Sequence, residues 1–192
     1  LRQVHLDCHM PSFPREALKN FDAKNFVAHL VRGKLNEVTV FAKCHFGNSF
    51  YFTEVGHRHP GLRRDFLREV ADECHVNGIR VLAYYSLCWD KHAADENPDW
   101  MEVDAEGKQI GADGPWGWLC LNSPYQEELV LPQLEEVAKD YPVDGFWLDI
   151  PWGHKDSCLC EYCKWKFEKL YGEPLTPETL GDVRRGFVRS AT

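Results

Sequence analysis

Hydrophobic and polar positions along the chain switch between a period near two and a period near 3.6. Residues 3–8 read as a short strand. Residues 22–31 have helical spacing, with Asp22 as N-cap and Gly33 near the C-terminal end. Residues 37–42 (EVTVFA) are β-branched and aromatic and predict a second strand. Over residues 61–77, Leu62, Phe66, Leu67, Val70 and Cys74 recur at three- and four-residue steps, predicting a helix that Gly78 ends. Residues 79–86 (IRVLAYYS) predict a third strand. Residues 123–140 predict a helix opened by Ser123 as cap and Pro124 in the first position. Residues 143–150 (VDGFWLDI) predict a fourth strand, residues 157–170 a further helix before Gly172, and residues 177–192 the start of another.

Strands alternating with helices imply parallel βαβ units. Two architectures fit: a doubly wound open sheet, or part of a (β/α)8 TIM barrel. The first βα turn, HLDCHMPSF, has no glycine, whereas a nucleotide-binding doubly wound sheet usually needs a glycine-rich turn there. Polar and aromatic residues instead sit at every strand end, as they do at the C-terminal face of a barrel. A full barrel takes ~250 residues. The 192 residues therefore read as about the first four βα units of one catalytic barrel, truncated after them. A half-barrel would leave two sheet edges and an apolar interior exposed, which predicts association such as a homo-oligomer.

Composition narrows the function. The net charge is -8 and no basic stripe appears, which argues against nucleic acid as partner. No apolar run approaches the ~20 residues of a membrane span. Aromatics make up 13% of the chain, with seven Trp, and flat aromatic faces suit carbohydrate. Most such rings are nevertheless core in any globular protein. Cys8, Cys44, Cys74 and Cys88, scattered in apolar or strand-like contexts, read as buried thiols, which suits a reducing, cytoplasmic compartment.

The strand ends carry the candidate chemistry: His5, Asp7 and His9 on the first, Lys43 and His45 on the second, Tyr84, Tyr85, Ser86, Trp89 and Asp90 on the third, and Trp147 and Asp149 on the fourth. In a barrel these converge on one mouth, where donors, acceptors and ring faces would bind a sugar. Asp149 ends the run Gly145, Phe146, Trp147, Leu148, which is expected to be buried. A carboxylate there is costly unless paired or used. It reads as a nucleophile or general base, against a plain strand-terminating cap. His5, Asp7 and His9 alternate and so share one strand face, as either a metal site or a sugar-binding cluster. His57 and His59 read as structural, with His59 a loop anchor.

Cys158, Cys160 and Cys163 in CLCEYC have spacings that can place three thiolates around one Zn²⁺, and Cys120 in WLCLNSPY is the candidate fourth ligand. Four cysteines with no open position would make such a metal structural; the alternative is four unligated thiols.

These segments resemble two groups of barrel glycosidases. AKCHFGNSFY is similar to the Lys-His-His-Asp-Gly-Phe stretch of α-L-fucosidases, and the sequence from GHRHPG to AYYSLCWD is similar to their next helix and third strand. LPQLEEVAKDYPVDGFWLDI resembles the helix and fourth strand that end in their catalytic Asp. The resemblance spans roughly residues 40–150. It implies a retaining glycosidase with Asp149 as nucleophile, His45 binding sugar, and one of Tyr84 or Tyr85 lining the pocket. Cys44 and Phe46 depart from the fucosidase pattern, where His and Asp stand. Cys120 before Leu-Asn-Ser-Pro-Tyr, with the later Cys-x-Cys-x-x-Cys, resembles the zinc motif of trimeric β-galactosidases. That resemblance implies zinc on Cys120, Cys158, Cys160 and Cys163. The acid/base partner is expected from a later part of the barrel, with Glu54 as the candidate within these residues. A metal-dependent hydrolase using His5, Asp7 and His9, or a non-catalytic carbohydrate-binding barrel, are the alternatives.

Overall fold

The computed structural model describes residues 1–13, 15–153 and 158–179. They form two compact units: Leu1–Ser86 with Pro132–Asp149, and residues 87–131 with the described residues from 150 onward.

The first unit holds a parallel four-stranded sheet, β1 (Gln3–His5), β2 (Glu37–Lys43), β3 (Arg80–Ser86) and β4 (Gly145–Asp149), in sequence order across the sheet. Every residue of β2 is buried, as expected of a strand with neighbours on both edges and cover on both faces. Helices α1 (Ala23–Arg32) and α2 (Phe66–Val76) cover one side through Val27, Leu30, Phe66, Leu67, Val70, Ala71 and Cys74. Asp22 caps α1 by accepting from the Asn25 N–H at 2.9 Å, and Gly33 closes it. The start of β4 is pinned to β3 by Asp144, whose Oδ2 accepts from the Val81 N–H (2.8 Å) and lies 2.9 Å from His75 Nε2.

Four expectations need correction. β1 stops at His5, because Asp7 turns outward and its Oδ1 accepts from the His9 N–H at 3.1 Å. His5, Asp7 and His9 therefore do not share one strand face. α2 begins at Phe66 rather than near residue 61, since Asp65 caps it by accepting from Arg68 N–H at 3.1 Å. Ser123 caps no helix; its hydroxyl donates to the Cys120 carbonyl at 2.7 Å. A π-helical turn, Gln126–Val130, leads instead into α4 (Leu131–Asp140). Pro132, just inside α4, has no N–H for the carbonyl four residues back and crowds it, which accounts for the widened turn. Lastly, among the described residues β4 is the last strand of the sheet and leaves Trp147 and Leu148 exposed (43% and 44%), where a buried run was expected.

α4 is locked to the segment after β2. Gln133, fully buried, donates through Nε2 to Ser49 Oγ (3.0 Å) and Tyr51 Oη (3.2 Å). Glu136 accepts from the Tyr51 and Thr53 hydroxyls. A Cβ on Gly56 would lie 1.8 Å from Gln133 Nε2. Gly56→Ala is expected to destabilise the protein by about 1–3 kcal/mol, as overpacking against a fixed buried group does. A chemical-unfolding midpoint equal to wild type would show that Gln133 can move aside.

The second unit contains α3 (Lys91–Glu96), a 3-10 turn (Pro98–Trp100) and α5 (Glu161–Tyr171). One apolar cluster in it holds Cys120, Leu159, Cys160, Cys163, Phe167 and Leu175. The helix expected over 157–170 starts at Glu161, with Cys160 as N-cap. Residue 157 and the stretch 180–192 lie outside the described residues. Among the described residues, no helix is long and apolar enough to cross a membrane.

Candidate active site and metal centre

The parallel register sets Ser86 opposite Asp149 and Tyr84 opposite Trp147 at the C-terminal ends of β3 and β4. Alternation along a strand then sends Tyr84 and Tyr85 to opposite faces. Tyr84 donates its hydroxyl to Asp149 Oδ2 at 2.5 Å. Tyr85 donates instead to Gln133 Oε1 on α4 at 2.9 Å, and the buried Lys43 ammonium lies 4.5 Å from the centre of its ring. A register shift between Phe41 and Lys43 puts Phe41 with Tyr84 and Lys43 with Tyr85. Of the two tyrosines, Tyr84 is the one brought to Asp149.

The loops after β1 and β2 complete the cluster. The His9 and His45 rings stack at 3.7 Å between centroids, 19° from parallel. The His45 N–H donates to His9 Nδ1 at 3.3 Å, which leaves the His9 proton on Nε2. His45 Nδ1 lies 2.7 Å from Ser86 Oγ, and its Nε2 lies 3.8 Å from Asp149 Oδ2. The carboxylate favours the tautomer with the proton on Nε2, so Ser86 donates to Nδ1. His5 adds a ring whose edge meets Tyr84 and Trp147, each at 5.3 Å. Phe41 stacks on Tyr84 at 3.8 Å and fixes its plane. Its signal in the sequence was only its place two residues before Lys43 on the same strand. Ser86 was visible at the strand end, but its partner was not.

Burial and the Asp149 charge push the Tyr84 hydroxyl far above its ordinary range, so Tyr84 remains a donor. Burial, and then His9, push His45 down to about 4 against the pull of Asp149 and Asp7, with Lys43 lowering it slightly further. Burial likewise lowers His9. The unfolded chain would bind a proton at this imidazole near pH 6.5, and the folded chain only near 4. Between those values the unfolded state holds the extra proton. The contribution is whole above about pH 6.5 and is lost toward pH 4, by about 3 kcal/mol at the acid end. Unfolding free energies at pH 7 and pH 4.5 measure it, and His45→Gln should flatten the slope. A slope equal to wild type would remove His45 as its source.

Asp149 is about one-third exposed. Ile150 directly after it takes φ 54°, a left-handed conformation strained for a β-branched residue. The other predicted residues lie elsewhere. Asp7 is exposed, 3.8 Å from His9 Nε2. Trp89 belongs to the second unit, stacked on Trp116 at 4.7 Å and edge-on to Trp118. Glu54 is exposed, its N–H held by Glu136 Oε1 of α4 at 2.6 Å. His59 anchors its loop, accepting from the Gly61 N–H on Nδ1 and reaching the Pro11 carbonyl with Nε2 at 2.9 Å.

In the second unit Cys120, Cys158, Cys160 and Cys163 bring their sulfurs within 4.8 Å of one another. Among the described residues this is the group of His, Cys, Asp or Glu that converges as metal ligands do; His5, Asp7 and His9 form no such group. The Cys120 sulfur lies 3.4 Å from that of Cys163 and 3.6 Å from that of Cys160, and all four are free thiols. A tetrahedral Zn–S₄ centre with ~2.3 Å bonds has sulfurs about 3.8 Å apart, so the set fits such an ion. Hydrogen bonds from Cys120 and its neighbours hold Cys160 well below the usual thiol range, while those with Cys158, Cys160 and Cys163 push Cys120 up. Were all four ionised, thiolates this close would need a cation between them. Cys160 and Cys163 also sit at the N-terminus of α5, where the helix dipole favours thiolate.

Residues 22–150 match the family model described as hypothetical glycosyl hydrolase 6. No curated protein sequence matches the chain significantly. Among solved structures, α-L-fucosidase isoenzyme 2 from Paenibacillus thiaminolyticus is 33% identical with TM-score 0.85, over 99% of this chain and 29% of its own. The chain thus spans under a third of that relative's length. A hypothetical protein from Ruminiclostridium thermocellum aligns at 15% identity and TM-score 0.60 over 100% of this chain and 90% of its own, a likeness of fold alone. The same holds for a GH29 α-L-fucosidase from Bacteroides thetaiotaomicron, at 22% identity and TM-score 0.53 over 79% and 32%.

Proposed function

The chain belongs to the hypothetical glycosyl hydrolase 6 family, and from that premise we propose that it supplies the first four βα units of a (β/α)8-barrel, α-L-fucosidase-like retaining glycosidase. The observation that carries this reading is the Tyr84–Asp149 hydrogen bond at the end of β4, flanked by the stacked His9 and His45. In this reading Asp149 bonds to the anomeric carbon as the bond from that carbon to the leaving oxygen breaks. A second carboxylic acid about 5–5.5 Å away protonates that oxygen, then takes a proton from the water that displaces Asp149. A later part of the barrel is expected to supply that acid, and Glu54, exposed and held to Glu136 of α4 by its backbone N–H, is the candidate among the described residues. Tyr84 orients the carboxylate. The neutral His45 offers its Nε2 proton and His9 its own to sugar hydroxyls, while Trp147 and His5 present ring surface. That the 33%-identical relative is an α-L-fucosidase supports fucose as the sugar.

The four cysteines hold zinc in this proposal. With every position taken by thiolate, zinc there would supply a cross-link and no catalysis. It would tie Cys120, ahead of α4, to the segment that follows β4. Hydrolysis of aryl α-L-fucosides by the full-length protein and by its Asp149→Ala variant tests the catalytic reading. Equal rates, or sugar binding without turnover, would favour a non-catalytic carbohydrate-binding barrel.

A further inference from the structure

The four-cysteine centre has an organised surround. The backbone N–H of Asn122 donates to Cys120 Sγ at 3.3 Å, and its side-chain Nδ2 donates to Cys163 Sγ at 3.3 Å. One residue thus grips two of the four sulfurs, one from each of the two segments that meet at the site. The amide is itself held: Lys166 Nζ on α5 donates to Asn122 Oδ1 at 2.7 Å. An ammonium has only donors, so the amide oxygen must face Lys166 and the NH₂ must face sulfur. Asn122 and Lys166 are both half-buried, which strengthens these contacts relative to open water.

We propose that Asn122 is an outer-shell ligand of this metal centre, fixed in its working orientation by Lys166. The assignment rests on the metal site proposed above. Four thiolates around a divalent cation leave two negative charges on the sulfurs. Two N–H···S bonds draw off part of that charge, and the Lys166 cation, one amide away, offsets more. Outer-shell partners of this kind change metal affinity by about 10- to 100-fold.

The variants differ in a way that a packing role would not reproduce. Asn122→Ala keeps the backbone donor and loses the side-chain donor, so it is expected to weaken zinc binding about 10-fold. Asn122→Asp has nearly the same shape but sets a carboxylate oxygen against Cys163, and is expected to weaken it about 100-fold. Lys166→Met leaves the amide in place but unfixed, and should fall between wild type and Asn122→Ala. Zinc affinity of the full-length protein is read by competition with a chromophoric chelator. Cobalt(II) replacement shows whether all four thiolates remain bound. If Asn122→Asp does not fold, the two other variants carry the test. Zinc binding in wild type that Cys160→Ser abolishes, with the three variants in this order, supports the proposal. Wild-type affinity in all three, with Cys160→Ser still deficient, overturns the outer-shell assignment alone. No zinc in wild type, or zinc equally held by Cys160→Ser, overturns the metal site and this assignment with it.

Discussion

Asp149→Ala in the full-length protein is expected to lower kcat on an aryl α-L-fucoside by about 10⁴-fold or more, the scale of losing the nucleophile in a covalent mechanism. The Asp149 carboxylate ends β4 and is held by the Tyr84 hydroxyl at 2.5 Å. Removing it leaves the rest of the cluster in place, so thermal stability should change little beside activity. The decisive readout is chemical rescue. A small anion such as azide fits the space the carboxylate leaves and should restore cleavage, giving a glycosyl azide of inverted configuration. Unrescued loss would point to a structural role, and retained activity would remove Asp149 from the mechanism. Tyr84→Phe keeps the carboxylate and removes only its donor, so a partial loss of about 10- to 100-fold is expected, the worth of a hydrogen bond to a charged group.

Much of this site was legible in the sequence, and what was not has physical reasons. β2 and β3 declared themselves through β-branched and aromatic residues, and Asp149 through its place at the end of an apolar strand. The choice between Tyr84 and Tyr85 was not decidable, because it depends on the register that sets Tyr84 beside Trp147 and on the shift after Phe41. The reach of β1 was overestimated because His5, Asp7 and His9 alternate as a strand would. The Asp7 side chain instead captures a backbone N–H, a local bond that competes with the ladder. Pro132 was visible, and its lost N–H could have warned that residues 123–140 do not form one regular helix. The left-handed Ile150 carries no such signal, since its side chain disfavours the conformation it adopts.

The cysteine spacing was the most specific local pattern, and it supports the second large effect. In the apolar cluster around the centre, three of the six buried residues are cysteines: Cys120, Cys160 and Cys163. Leu159, Phe167 and Leu175, with Val103 and Tyr162 packed against them, are a small apolar set for the segment that carries the cysteines. If zinc closes the centre, its binding energy is part of the folding energy of that unit. Cys160→Ser is therefore expected to release about one zinc per chain and to destabilise the second unit by several kcal/mol, on the order of 3 or more. Hydrogen exchange should show it, with protection lost over residues 158–171 while β2 and β3 keep theirs. His9→Ala should leave the zinc in place, because His9 belongs to the Asp149 cluster and not to the cysteines. Zinc lost on changing His9 but kept on changing Cys160 would reverse the assignment and revive a catalytic metal at the strand ends. Zinc lost only with the cysteines would leave the chemistry to Asp149 and its carboxylic partner.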